Sequence, residues 1–456
     1  MNGLIQVRGM LGIVDPEERG VHEVNEVSHL LDHRAWGGFT RIDRSSLAQD
    51  ASVGDSDLVL LGCLAQINQR TESRGSFGMI HGSVLGGSSS LFDGLHNSST
   101  FDEVKAYAEA ILNLDGSFSF ILTSNHGVIV GRDCMGGKPL YLGRKGPVKA
   151  ISSEMKPLRR MGLEVEHFAP GRVHLLEQKK DIFKFTSKDL VQKKKDSMSF
   201  SKKEGFRDLD GGELLDQLEL SVTRRVGTAK RIAIAFSGGV DSSLIAFIAK
   251  RHTRVVGIAV GAESSIDQLE AKGYAELIGI DLIQVQPTMK EVQQLREQIR
   301  NLAEVTTLMD ESIALGFHLA AKASRNAGCD KMFVGQLADE LFGGYARYVR
   351  AHCSGTNDVL EMMATDVMNA AEHNFERDEK ASSPFVDLEI PYASLGIVEY
   401  GLLCPTNRKF DCSTGIGKVI LRKAAITAGL PERIALRSKK AIQYSSGLLK
   451  ILSKLG

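Results

Sequence analysis

Ser237, Gly238, Gly239, Asp241 and Ser242 fall together inside the stretch AIAFSGGVDSSLIAF, residues 233–247. Paired glycines let a backbone turn sharply and approach a ligand closely. If a helix starts there, its unbonded N–H groups and the positive end of its dipole favour an anion. Ser237 and Ser242 add hydroxyl donors. The loop is not the Walker type, G-x-x-x-x-G-K-[ST], because it has no lysine. A carboxylate such as Asp241 suits an anion site only when a cation accompanies the anion. Mg²⁺ shared between that carboxylate and phosphate oxygens is the natural choice. A turn that merely starts a helix is the plain alternative, but it does not call for Ser-Gly-Gly-x-Asp-Ser.

The flanking pattern says what holds this loop. From about residue 209, apolar strands alternate with helical stretches: RIAIAF (231–236), VVGIAVG (255–261), LIQVQ (282–286) and a short strand around MFV (332–334). Such alternation predicts a parallel sheet with crossover helices. Ligands on these sheets bind beyond the carboxyl ends of the strands, where FSGGVDSS would lie. Residues 1–177 read differently. SFSFILTS (117–124), GVIVGRD (127–133), PLYLGR (139–144), VKAISS (148–153) and RVHLLE (172–177) follow one another closely as strands, and 101–114 has helical spacing. That predicts a mostly antiparallel α+β domain. Residues 178–208 are basic, polar and poor in large apolar side chains, and read as a connector.

At 456 residues, with 43% hydrophobic and 25% charged, the chain suits a soluble protein of two or three domains. Lys+Arg and Asp+Glu are both 56, which argues against a chain-wide nucleic-acid footprint. No apolar run is long enough to span a bilayer, and the start has no secretory pattern. A cytoplasmic location is expected, without membrane or nucleic-acid partners. Six scattered cysteines without a C-x-x-C pair read as reduced, mostly buried thiols, and no zinc or iron–sulfur site is expected.

SGGVDS resembles the pyrophosphate-binding loop of the ATP pyrophosphatases. VGQLADELFGGYARY (334–348) resembles the Gly-Glu-Gly-x-Asp-Glu-x-Phe-Gly-Gly-Tyr motif of glutamine-dependent asparagine synthetases. The stretch 417–444, GKVILRKAAITAGLPERIALRSKKAIQY, is similar to that family's run of Lys, Leu-Arg, Leu-Pro, Ile and Arg-x-Lys. LDGSFSF (114–120), GRDCMGGKPLYLG (131–143) and ISSEMKPL (151–158) resemble segments of its N-terminal glutaminase. The resemblance covers most of the chain. It implies an Ntn-hydrolase-type α+β sandwich over 1–177 and a HUP-type α/β ATP pyrophosphatase domain over 209–456. It further implies an AMP-forming carbon–nitrogen ligase that uses ATP and Mg²⁺. ATP would contact Phe236, Ser237, Gly238, Gly239, Asp241 and Ser242, with Val260 and Gly335 flanking adenine and ribose. Asp241 and Asp339 would bind the metal, and Lys439 would act near the α-phosphate. The partners implied are small molecules: ATP, a carboxylate such as aspartate, and ammonia or another amine. A homodimer is also among the expectations.

The chain departs from the family at chemically decisive places. The glutaminase nucleophile is a cysteine directly after the initiator Met, whose α-amino group serves as base. Here that position is Asn2, and aligning GMLGIV (9–14) instead puts Leu11 there. The glutamine-binding Arg-Gly-Pro-Asp reads RAWG from Arg34, and the oxyanion segment reads HGS from His81 to Ser83. A folded but silent glutaminase is expected. In the synthetase half, Gln336 stands for the family's Glu and Leu337 for the following glycine. A glutamine offers an amide where the family has a carboxylate. Glu389 stands where an arginine is expected, which bears on acceptor recognition. Two other readings stay open: an ATP pyrophosphatase acting on tRNA or a nucleoside, and a non-catalytic ATP-binding protein.

Overall fold

The computed structural model describes residues 4–15, 26–34, 39–43, 57–63, 78–86, 89–176, 180–184, 189, 208, 210–262, 266–355, 359–437 and 447–455. Two compact units divide between Thr186 and Ser187.

Among its described residues, the first unit holds two six-stranded sheets. One contains β1 (Leu4–Val7), β5 (Gly78–Leu85), β6 (Asp115–Ser124), β7 (Gly127–Arg132), β11 (Arg172–Leu175) and β12 (Lys180–Lys184), in that spatial order. The other runs β10 (Glu164–His167), β8 (Tyr141–Lys145), β9 (Val148–Ser152), β2 (Met10–Asp15), β4 (Asp57–Cys63) and β3 (Phe39–Asp43). Every pairing is antiparallel except β1 with β5, which is parallel.

Strand alternation makes this a layered sandwich. Met79, Ile121, Val128 and Val130 from the first sheet meet Met10, Leu142 and Ile151 from the second in one core cluster. The residues between them point the other way. Leu11, Ile13, Tyr141, Val148 and Ala150 pack under Leu31 and the helix Met155–Arg160 through Leu158. Phe118 and Phe120 lie edge-on against Phe92 of the helix Ser89–Asn97. Each such fully buried side chain contributes about 1.5–3 kcal/mol.

Two features differ from the sequence reading. Residues 180–184, assigned to the connector 178–208 on composition, form the edge strand β12 against β11. Ile182 is buried there. Lysines on an edge strand discourage pairing with other chains and also make the segment look like a linker. The second correction concerns the cysteines. Cys353 and Cys412 form a disulfide, while Cys134, Cys329 and Cys404 remain buried thiols.

The second unit is built on a five-stranded, all-parallel sheet of order β15 (Asp281–Val285), β14 (Arg254–Val260), β13 (Arg231–Ala235), β16 (Lys331–Phe333), β17 (Asp387–Glu389). β13 is central, so its run Ile232–Ile234 is buried on both faces. Helices Val240–Ala249, Ile266–Ile278 and Leu308–Asn326 carry the crossovers. Thus α+β and α/β architectures occupy the two halves, as the sequence predicts. No described helix is long and apolar enough to cross a membrane.

Candidate active site

The carboxyl ends of β13 and β16 lie side by side, and each leads into a loop with a carboxylate on the next helix. Past β13, the Phe236 N–H donates to Ile258 O at 2.8 Å, which extends the sheet by one residue. Gly238 then turns with φ +68, and a Cβ there would come within 2.7 Å of Tyr274. Only glycine fits both the dihedral and the space. Ser237 Oγ lies 3.3 Å from Ser242 Oγ and accepts from Gly239 N at 3.3 Å, so the loop is braced by its own hydroxyls. The helix Val240–Ala249 follows, with Asp241 in its first turn.

Past β16 come Val334, Gly335, Gln336 and Leu337, then the short helix Ala338–Phe342 with Asp339 and Glu340. A Cβ on Gly335 would come within 2.9 Å of Asp241 Cβ, so the two loops touch. Leu337 has φ +74, a conformation that costs an L-residue roughly 1–2 kcal/mol. The backbone keeps the shape of a glycine although the residue has changed.

A third segment completes the centre. Lys418 caps the helix Val419–Thr427 and donates its backbone N–H to Phe342 O at 3.1 Å. Its buried ammonium donates to both carboxylate oxygens of Asp241 at 2.6 Å and lies 2.6 Å from Asp339 Oδ1. Burial alone would lower the lysine's pKa, but the two negative charges outweigh it and raise it above the ordinary value. A side chain on Gly344 would collide with Asp339 Oδ1 and Lys418 Cε, so the lysine reaches both acids across a bare backbone.

Arg437 covers the serine–glycine loop. It donates to Ser237 O at 3.0 Å and to Glu270, with its guanidinium 5.1 Å from the Tyr274 ring centre. Beside the loop, Gln336 donates through Nε2 to the buried Asp378, which also pairs with Arg377 at 2.8 Å. Gln336 Oε1 is buried and has no hydrogen-bond partner among the described residues. Burial raises the pKa of Asp378 despite Arg377.

Residues 213–376 match the asparagine synthase family, and residues 96–160 match a glutamine amidotransferase domain. A protein of Methanocaldococcus jannaschii, provisionally named asparagine synthetase [glutamine-hydrolyzing] 1, is 29% identical over 393 residues, covering 76% of this chain and 72% of its own. The human asparagine synthetase [glutamine-hydrolyzing] is 27% identical over 390 residues, covering 75% of this chain and 65% of its own. The chain carries an asparagine synthase domain and a glutamine amidotransferase domain, and it is similar to asparagine synthetases over about three quarters of its length. It spans about two thirds of the length of the mammalian relatives, 65% for the bovine and human proteins.

Most of the residues read from the family motifs surround one place. Phe236 to Ser242 form the loop, Gly335 abuts Asp241, and Asp241 and Asp339 converge on one cation. Val260 ends β14 and packs partly into the cluster around Val292, Leu315 and Leu448. Lys439 lies outside the described residues; Arg437, two positions earlier, is at the loop. Lys418 lies within the 417–444 stretch that resembles the family, but the resemblance assigns it no role. Its only local signal is Gly417-Lys418 in the turn ahead of an apolar helix.

In the first unit, Asn2 lies outside the described residues, while Leu11 (the other nucleophile register), Arg34 (the glutamine-binding segment) and His81 (the oxyanion segment) are engaged internally. Leu11 is a buried interior residue of β2, paired to Leu61 and Ser152. Fully buried Arg34 donates to Glu154 Oε1 at 2.5 Å and to Arg8 O at 3.1 Å. His33 and Lys156 also face Glu154, at 2.6 and 2.7 Å. His81 Nδ1 lies 3.2 Å from Ser153 Oγ, which accepts the Met10 N–H. Burial favours protonation of Glu154, but Arg34, His33 and Lys156 outweigh it and hold the carboxyl far below its ordinary range.

A group with a depressed folded pKa stabilises the fold above its unfolded value and loses that contribution as pH falls. Stability of this unit should therefore fall progressively below about pH 4.5. Arg34→Leu should cost about 3–5 kcal/mol at neutral pH, because it strands a buried carboxylate. Urea melts from pH 7 down to 3, compared with Glu154→Gln, check both. An acid dependence identical in wild type and Glu154→Gln would remove Glu154 as the cause.

Proposed function

We propose that this chain is a Mg·ATP-dependent ligase of the asparagine synthetase type with a silent glutaminase. It activates a carboxylate, aspartate by default, and passes the acyl group to ammonia or another amine, releasing AMP and pyrophosphate. The observation that carries this reading is the convergence of Asp241 and Asp339 on one cation position beside the Ser237–Gly239 loop.

The donor set fits Mg²⁺. This ion commonly takes one or two protein carboxylates and fills its other positions with water and phosphate oxygens. Among the described residues no three His, Cys, Asp or Glu side chains gather around one point, so Asp241 and Asp339 would be its protein ligands. Bound there, it would neutralise charge on the phosphates.

The chain's own groups have separate tasks. The loop N–H groups, Ser237 and Ser242 hold the β and γ phosphates. A carboxylate oxygen of the acceptor attacks the α-phosphorus, and pyrophosphate leaves. Lys439 stabilises charge that builds on the α-phosphate. The amine nitrogen then attacks the acyl carbon, its proton is lost to water or a neighbouring base, and AMP leaves. Gln336 orients reactants through its amide oxygen and takes no proton, because an amide is not a base at neutral pH.

Release of pyrophosphate from ATP, screened over carboxylates and amines, tests this reading. ATP-dependent release with one carboxylate–amine pair is the expected result, and silence across all pairs would refute it. Glutamine should not serve as nitrogen donor. Hydrolysis in this fold needs a nucleophile beside its own free α-amine, whereas Leu11 is a peptide-bonded residue in mid-strand and Arg34 already holds Glu154. Labelled glutamine, incubated with and without ATP, should yield glutamate only at the uncatalysed rate. Faster release would mean that another residue is the nucleophile.

A further inference from the structure

The disulfide joins the two segments that deliver Asp339 and Lys418. Cys353 ends the helix Ala346–Cys353, which starts just after the Gly343–Gly344 turn behind Asp339. Cys412 sits in the turn whose ends, Asp411 and Ile416, pair with each other, and Lys418 follows two residues later. Both segments share one apolar anchor. Phe410 packs with Tyr348 and Met363, and its ring lies 5.1 Å from that of His352. The Cα atoms of the two cysteines are 5.5 Å apart, within the ordinary span of a disulfide.

Exposure separates this pair from the other described cysteines. Cys353 and Cys412 are exposed, whereas Cys134, Cys329 and Cys404 are buried. Burial pushes the Cys329 and Cys404 thiols up to about 11, which leaves them protonated and inert. Exposed disulfides are the ones that small thiols reach and reduce.

We propose that Cys353–Cys412 is a redox switch on the Asp241–Lys418–Asp339 centre. When the disulfide is formed, it ties the 411–416 turn to the 346–353 helix and fixes Lys418 between the two acids. Reduction frees the turn and loosens that centre. In the reductive direction a thiolate of a small thiol attacks one sulfur, and the other leaves as a thiolate and takes a proton. A second small thiol attacks the mixed disulfide and releases the small-molecule disulfide. The protein gains two electrons and two protons, and a small-molecule disulfide such as oxidised glutathione reverses the step. The consequence for nucleotide affinity, but not the tether itself, rests on the ATP reading of the site.

The test compares the full chain oxidised with glutathione disulfide, the same chain reduced with dithiothreitol, and the double variant Cys353→Ser/Cys412→Ser. Three readouts are used: alkylation mapped by peptide mass, hydrogen exchange over residues 411–418, and ATP affinity by equilibrium titration. Oxidation should protect both cysteines from alkylation and slow exchange over 411–418. Reduction should speed that exchange and weaken ATP binding about fivefold or more, within the usual range of coupling between two sites. The double variant should match the reduced chain in both conditions. Failure of the pair to oxidise, equal exchange in the two states, or unchanged ATP affinity despite altered exchange would each overturn the switch. If ATP binds in neither state, the ligase reading fails on its own, and the exchange comparison still decides the tether.

Discussion

Asp241→Asn is expected to lower ATP-dependent turnover by about a hundredfold or more while leaving the fold intact. Asp241 lies in the first turn of its helix and is about one-fifth exposed, so no core packing depends on it. Asparagine keeps the shape and one acceptor oxygen, and Lys418 still finds a partner. What disappears is a charge. Asp241 and Asp339 together balance the Lys418 ammonium with one negative charge to spare, and that surplus is what a divalent cation accompanying a triphosphate would need. Pyrophosphate release on a working substrate pair measures the loss, and far-ultraviolet circular dichroism checks the fold. Turnover within tenfold of wild type would remove Asp241 from the metal site.

Lys418→Met should destabilise the chain in a way that Mg²⁺ reverses. Lysine at this position has φ +60, and methionine meets the same left-handed strain, so the change isolates the ammonium. Removing one partner of a buried ion pair typically costs about 3–5 kcal/mol. The two carboxylates remain about one-fifth exposed, so the low end applies, near 3 kcal/mol or roughly 6–12 °C in Tm. Without the lysine the two acids face each other with no cation between them. Millimolar Mg²⁺ should then raise the Tm of the variant more than that of wild type, because the ion takes the place the ammonium has left. Equal shifts in the two proteins would show that Lys418 and a divalent cation do not contend for the same carboxylates.

The sequence by itself determined the parts whose signals are local. The period-2 runs over 117–153 and the strand–helix alternation after 230 report each segment's own burial, and they yielded the architecture of both halves. Ser237–Ser242 could be read as a ligand loop because glycine and serine there have few other uses at a strand end. The family motifs extended this to Asp339, a residue whose surroundings alone do not single it out. Only the tertiary structure decided what depends on distant neighbours. β13 and β16 are separated by a long stretch of chain, and their adjacency in the sheet is what brings Asp241 and Asp339 to one cation. Lys418 looks like any lysine before a helix until Gly344 leaves room for it. Arg34 could have faced a ligand; burial and Glu154 turned it inward. Among the described cysteines, which share a similar local context, proximity chose Cys353 and Cys412. Periodicity is set by a residue's own side of its own element. Pairing is set by which elements the whole chain packs together, and no short window of sequence contains that information.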